Sequence, residues 1–457
     1  MSATFRPSRA ILELGGRFYD EVAAADFPET RLRFRNDRAA AEVGLADLDD
    51  AGWTAHFGRF AALDGSLATP LALRYHGHQF RSYNPDLGDG RGFLFAQLLD
   101  NRDRLMDLGT KGSGQTPWSR AGDGRLTLKG GVREVLATEM LEALGVATSR
   151  SFSLIETGEA LMRGDEPSPT RSAVLVRLSH SHVRYGSFQR LAALADADGM
   201  ATLAAYVLRR YFPGIDARDP YAALMDVAVT GAASQAAAFM VAGFVHGVLN
   251  TDNINITGES FDYGPYRFAP RWEPDFTAAY FDHHGLYSFG RQPEALQWNV
   301  YQLANALRLV APVDALKPAL EAFPARYTEA LGAAVCRRLG VRSRGDDRVL
   351  VEATIAALQA SGMSLDRFWF DWRGGRLRGA DLYATPDFAP FTAIVAAYEN
   401  SAAADHSYWS DIVPCSLMID EIEAIWADIA QNDDWGAFQA KIAAIRRMSR
   451  AMGNSAA

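Results

Sequence analysis

The chain has 457 residues, 48% of them apolar, and a net charge of −9 from 46 basic and 55 acidic side chains. That length exceeds one simple core and fits about two or three domains, or two lobes that share a cleft. The acidic balance excludes a global basic field for nucleic acid, and two cysteines, Cys336 and Cys415, exclude a disulfide framework or a zinc site.

No run approaches the roughly 20 apolar residues that span a bilayer. The longest candidate, 232–248, is interrupted by Ser234, Gln235 and His246. The N-terminus mixes Arg6, Arg9 and Arg17 with Glu13, Asp20 and Glu21 and has no secretory apolar region. A soluble, cytoplasmic protein with no membrane or nucleic-acid partner is expected.

Residues 1–60 mix short apolar groups with charges and read as an extension on a core. Short apolar runs bounded by turn residues predict strands near 93–99, 105–110 and 173–178. Between them, Val132, Leu136, Met140 and Leu144 recur every four residues and predict a helix over 132–144, stopped by Gly145. Residues 163–170 read as a surface loop. From about 188 the chain turns alanine-rich, with long helices predicted over 191–212 and 222–245. A turn-rich segment, 246–293, separates these from helices predicted over 295–309, 314–339, 348–360, 420–429 and 437–452, and the tail 453–457 is expected to fray. The expected fold class is α+β: a mixed N-terminal lobe, a loop region, and a mainly helical C-terminal lobe.

The strongest chemical cluster is HGVLNTDN (246–253), followed by Asp262-Tyr263-Gly264, with 254–256 as a short strand between them. It brings a carboxylate and an amide side by side and then a second carboxylate. Phosphate transfer needs this set: one acid to orient the acceptor hydroxyl, and an amide oxygen with a second acid to hold a divalent cation. Lys111, at the end of a predicted strand and followed by Gly112, Ser113 and Gly114, is placed to reach phosphates and needs a carboxylate partner. The 132–144 helix offers Glu134, Glu139 and Glu142, and helical geometry beside the apolar seam favours Glu139. Gly88-Asp89-Gly90-Arg91 and Asp123-Gly124-Arg125 are glycine turns flanked by arginine, and Arg177 and Arg184 flank an apolar strand. Each piece taken singly also reads as an ordinary turn or surface ion pair. The histidines at 76, 78, 180, 182, 246, 283 and 284 lack carboxylates at ligand spacing, so no histidine metal site is expected.

Together these segments resemble the selenoprotein O family of protein adenylyltransferases, once regarded as pseudokinases. The resemblance rests on HGHQFRSYNPDLGDGR (76–91), KGSGQTPWSRAGDGR (111–125), Val132-Arg133-Glu134, VRLSHSHVRYG (176–186), HGVLNTDN (246–253), FDYGPY (261–266) and RQPEALQWN (291–299), in one order across 70–310. It implies a two-lobed kinase-like fold, with an extension over 1–70, an N-lobe over 71–185 and a helical C-lobe over 186–457. It also implies ATP bound in reverse and AMP passed to Ser, Thr or Tyr hydroxyls of proteins, self-modification included. Asp252 would be the catalytic base, and Asn253 and Asp262 would hold Mg²⁺ or Mn²⁺. Gly88, Gly90, Arg91, Lys111, Asp123, Gly124, Arg177, Arg184 and Asp262 would line the nucleotide site, with Arg177 and Arg184 suited to outward-facing β- and γ-phosphates. The motif pairs Lys111 with Glu134 rather than Glu139. An ordinary kinase on the same fold, or a non-catalytic nucleotide-binding pseudokinase, is the alternative. Family members often carry a cysteine after the Asp-Tyr-Gly segment and another near the C-terminus; this chain has neither, so redox control is not expected.

Overall fold

The computed structural model describes residues 3–453 apart from 216–217, 379–380 and 403–405; within the tail expected to fray, 454–457 lie outside the described residues. The chain opens with strands β1 (Pro7–Ser8), β2 (Tyr19–Glu21) and β3 (Arg31–Arg35) and helices α1 (Asp37–Glu42) and α2 (Asp50–Phe57). Strands β4 (Leu71–Leu73), β5 (Gly77–Gln79), β6 (Ser82–Asn84), β7 (Leu94–Leu99) and β8 (Leu105–Lys111) follow. A short β9 (Leu126–Thr127) leads into α3 (Leu128–Ala143), and β10 (Arg150–Leu161) and β11 (Thr170–Ser179) complete this part. Nine of these strands form one sheet along the path β2-β4-β7-β8-β11-β10-β3, with β1 on β7 and β9 on β11. The apolar runs read as strands are β7, β8 and β11. The first 60 residues do more than cover a core: β1, β2 and β3 pair into the sheet, and α2 packs on it through Trp53, which stacks on Phe152 at 4.9 Å.

Helix α3 starts four residues earlier than predicted, because the Thr127 side chain caps it by accepting from the Gly130 N–H at 3.1 Å. Its seam residues Val132, Leu136 and Met140 are buried against β10 and β11. After α4 (Tyr185–Ala193), α5 (Ala197–Tyr211) and α6 (Pro220–Ala242), strands β12 (Phe244–Val245) and β13 (Arg267–Phe268) form a small ribbon. Helices α7 (Gln292–Leu307), α8 (Val313–Glu321), α9 (Phe323–Leu339), α10 (Arg348–Ser361), α11 (Leu365–Asp371), α12 (Ala389–Val395), α13 (Ile419–Asn432) and α14 (Gly436–Ala451) make up the rest. The fold is therefore mixed α and β, sheet-rich in its N-terminal part and helical in its C-terminal part.

Three sequence expectations are corrected. The helix predicted over 191–212 is two, because Ala195 turns to φ +52 and Asp196 caps α5, accepting from the Gly199 N–H at 2.9 Å. The helix predicted over 314–339 breaks at Ala322, between Pro318 and Pro324, neither of which can donate to a preceding turn. Residues 254–256 form no strand; Asn255 makes a single bridge to Arg184. A fourth point concerns α6. By length and composition it could cross a membrane, but 67% of its apolar window is buried, and α5, α7, α8 and α9 pack around it. It is placed as the central helix of the helical part.

Candidate active site

The site forms where β8, α3, β11 and the loop after β12 meet. Lys111, the last residue of β8, is buried and ion-paired with Glu134 of α3 and with Asp262, whose Oδ1 lies 2.6 Å from its Nζ. Glu139, the partner that helix geometry favoured, instead receives Arg446 of α14 at 2.6 Å and Arg38 at 3.2 Å. The apolar seam was a poor guide because α3 is buried on several faces, with the sheet on one side and α13 and α14 on another. Lys111 reaches the face that carries Glu134. The outward set of ion pairs from Arg38 and Arg446 fixes the helix, and so the carboxylate that holds the lysine.

Asp262 adopts φ +64, a left-handed conformation that aspartate tolerates better than most side chains. Burial would raise its pKa, but Lys111, Arg177 and Arg91 outweigh it and hold the carboxyl well below the usual range. It is an anion at any neutral pH. The following Tyr263 is locked by a hydroxyl contact to Thr148 at 2.5 Å.

The loop after β12 ends in a tight turn, Thr251–Asn253, that carries Asp252 and Asn253. His246 braces the loop: its ring Nε2 lies 3.0 Å from the Phe261 carbonyl, and its backbone N–H donates to Gln292 Oε1. The Asn253 amide donates to the Val248 carbonyl at 3.0 Å, so its nitrogen is used and its oxygen is left as an acceptor. Asp252 is 7% exposed, and its Oδ1 has no hydrogen-bond partner. Burial pushes its carboxyl up to about 6, against the pull of Arg184. A buried carboxylate with one oxygen unpartnered is costly, and such groups concentrate where a proton is to be taken up.

Asp252 also lines a cavity of about 610 Å³, whose walls include Gly88, Gly90, Arg91, Asp123 and Gly124. Gly88 lies so close to the Trp118 ring that an added Cβ would be 2.4 Å from it; only glycine fits there. In the other wall, Asp123 is tied to Arg163 at 2.8 Å and Arg125 to Glu159 at 2.9 Å. The resemblance suits Arg177 and Arg184 to the β- and γ-phosphates. Both arginines are buried behind this cavity, at 4% and 5% exposure. Arg177 lies 3.6 Å from Asp262 and has two nitrogens, Nε and Nη1, without a hydrogen-bond partner. Arg184 donates to Asp89 Oδ1 at 2.9 Å and to the Asp252 carbonyl at 3.0 Å, and stacks on Tyr75. It is a strut between the Gly88–Gly90 turn and the Asp252 loop. Asp89, Tyr75 and Trp118 were not predicted as site residues.

The structure thus brings Lys111, Glu134, Arg177, Arg184, Asp252, Asn253 and Asp262 together behind a cavity lined by the remaining predicted residues. The cations Lys111, Arg91, Arg177 and Arg184 are matched in number by the carboxylates Glu134, Asp89, Asp252 and Asp262. The cavity wall adds Arg120, Arg125 and Arg163, the last two paired with Glu159 and Asp123, and the Asp262 carboxylate with the free Asn253 oxygen offers hard donors for a divalent ion that would bring further positive charge. Among the described residues no group of three or more His, Cys, Asp or Glu could hold a metal alone, so phosphate oxygens would have to complete its shell.

Comparison with known proteins is consistent across the chain. The model of the family described as protein adenylyltransferase SelO matches residues 2–376. A protein nucleotidyltransferase YdiU of Gloeobacter violaceus is 45% identical over 461 residues, covering 96% of this chain and 94% of its own. One from Synechocystis is 42% identical over 475 residues, covering 96% and 97%. One from Trichodesmium erythraeum is 47% identical over 386 residues, covering 82% and 80%. With the family match spanning every residue of the site just described, the chain belongs to the SelO family of protein adenylyltransferases.

Proposed function

We propose that AMP transfer from ATP to protein hydroxyls of Ser, Thr or Tyr takes place at Asp252, on a two-lobed kinase-like fold whose lobes meet near residue 185. The N-terminal extension, over 1–70, contributes strands to the first lobe, and 186–457 form the second. The observation that carries the reading is a buried carboxylate, one of its oxygens without a hydrogen-bond partner, at the wall of a glycine-lined cavity, backed by the Lys111–Glu134–Asp262 cluster.

Asp252 accepts the proton of the acceptor hydroxyl as its oxygen bonds to the α-phosphorus. The bond from that phosphorus to the bridging oxygen breaks, and pyrophosphate leaves. Lys111, fixed by Glu134, meets the phosphate chain, and the two open nitrogens of Arg177 suit the β- and γ-phosphates on the inner side. Gly88 and Gly90 let backbone come close to the nucleotide, and Arg91 adds charge at the cavity wall. Asn253 and Asp262 would hold Mg²⁺ or Mn²⁺, which when bound neutralises phosphate charge.

The direction of transfer tests this reading. With a mixed protein substrate, label from the α-position of ATP is expected on protein, and label from the γ-position is not. Modified peptides should gain AMP. Label from the γ-position instead would make the chain an ordinary kinase, and no label from either would favour a nucleotide-binding pseudokinase.

Activity is also expected to be the same with and without dithiothreitol. Cys336 is buried in the helical core, where burial pushes its thiol up to about 12, and burial pushes that of Cys415 up to about 11. Neither is a thiolate at neutral pH. Several-fold activation by reductant, lost in a cysteine-free variant, would contradict this.

A further inference from the structure

The HGHQFR segment has no role in the mechanism above, yet it packs directly against the catalytic turn. Strands β5 and β6 form a hairpin in which Gln79 pairs with Ser82, leaving Phe80 and Arg81 as a two-residue turn. Both take positive φ, +48 and +65. That is the type I′ pattern, which strongly prefers Asn-Gly and which a bulky aromatic and an arginine adopt only under strain. Strain of this kind is kept where the surroundings demand it.

Its surroundings are the catalytic turn. The Phe80 N–H donates to Asn250 Oδ1 at 3.0 Å, and the His78 N–H donates to Thr251 Oγ1 at 2.7 Å. At Gly77 an added Cβ would sit 2.9 Å from Asp252 Oδ1, so the hairpin backbone lies directly on the carboxylate. The Phe80 ring packs on Tyr287 at 5.0 Å, and the Tyr287 hydroxyl donates to the same Asn250 oxygen at 2.9 Å. Phe80 therefore holds Asn250 twice, through its own backbone and through Tyr287. Its ring can meet Tyr287 while its N–H meets Asn250 in this turned-back conformation.

We propose that the β5–β6 hairpin is a positioning element for Asp252, with Phe80 as its key residue and the left-handed Phe80–Arg81 turn kept for that purpose. The hairpin touches no reacting atom. It sets the catalytic turn through Asn250 and Thr251 and closes over Asp252 with Gly77. The inference rests on the reading of Asp252 as the base.

The test replaces strain with the preferred turn. Phe80→Asn with Arg81→Gly gives an Asn-Gly I′ turn that keeps the backbone bond to Asn250 but takes the ring off Tyr287 and removes the Arg81–Glu294 pair, and a purely structural hairpin would be as active. The positioning role predicts otherwise in the full chain. The melting temperature should stay within a few degrees of that of the unchanged protein, relief of the two left-handed positions offsetting the lost contacts of Phe80 and Arg81, and KM for ATP should hold. Meanwhile kcat for transfer of α-label should fall by about 10- to 100-fold, as expected when a reacting group is misplaced. Phe80→Tyr, which keeps the ring, should stay within about threefold of the unchanged kcat. Amide hydrogen exchange should quicken across 250–252 in the double variant and remain the same in α6. Unchanged kcat, a kcat that falls only in step with stability, or unchanged exchange at 250–252 would overturn the proposal. The exchange measurement decides it even if the unchanged protein transfers no AMP, an outcome that would count against Asp252 as the base and leave the hairpin to be judged on its own.

Discussion

Asp252→Asn is expected to lower AMP transfer by about 10²–10⁴-fold, the usual worth of a positioned general base. Asparagine keeps the shape and the packing against Gly77 but cannot take the acceptor's proton. The same change should stabilise the fold. Burial raises the Asp252 carboxyl to about 6, so its ionised form is disfavoured in the folded chain. The sign follows from linkage. Below about pH 4 the group is neutral in both folded and unfolded chains and costs nothing, and the penalty grows between about 4 and 6 and is full above that. At pH 7.5 the asparagine variant should therefore be more stable, by on the order of 2–3 kcal/mol, and at pH 4 the two should converge. In the unchanged enzyme, kcat/KM should fall by about tenfold per unit as pH drops below about 6, because the base is then protonated. Loss of activity with loss of stability at pH 7.5 would mean that Asp252 is structural.

Much of this site could be read along the chain, since its parts are local. The turn 251–253, the glycine turns at 88–90 and 123–124, and Lys111 at a strand end each announce themselves by residue type. What could not be read is which side of each element faces the others. Glu134 and Glu139 both lie in α3, and the choice between them depends on Arg446 arriving from α14, more than 300 residues away. The burial of Arg177 depends on β11 being a central strand, and that of Arg184 on Asp89 and the Asp252 loop closing over it, which the local sequence does not reveal. Strand β10 escaped notice because RSFSLIETGEAL is buried on both faces through its middle and shows no alternation. The β5–β6 hairpin escaped because its turn, Phe80–Arg81, carries none of the residues that mark such turns. The helix breaks at 194–196 and 322 were visible in principle, through Asp196 and the two prolines, but alanine's propensity masked them.

Asp262→Ala is expected to abolish transfer and to cost stability in a pH-dependent way that identifies the charge responsible. The carboxylate stands between Lys111 at 2.6 Å and Arg177 at 3.6 Å, and its side chain is 25% exposed. Removing it leaves Arg177, already with two unpartnered nitrogens, facing a buried lysine. Breaking a buried pair from one side costs about 3–5 kcal/mol, but Glu134 still neutralises Lys111, so about 2–3 kcal/mol is expected here. The native carboxyl titrates well below its unfolded value, held there by Lys111 and Arg177 against burial. Its stabilisation is thus complete above the unfolded value near 4 and is lost as pH falls through the folded one. The difference between variant and unchanged protein should be full at pH 7 and shrink in acid. The loss of activity has a separate cause, since the variant lacks one of the two groups that would hold the divalent ion. Excess EDTA should accordingly silence the unchanged enzyme without this loss of stability. Activity that survives in the variant, or in EDTA, would remove Asp262 from the mechanism. A stability difference that stays constant from pH 7 to pH 3 would show that packing, and not charge, was lost.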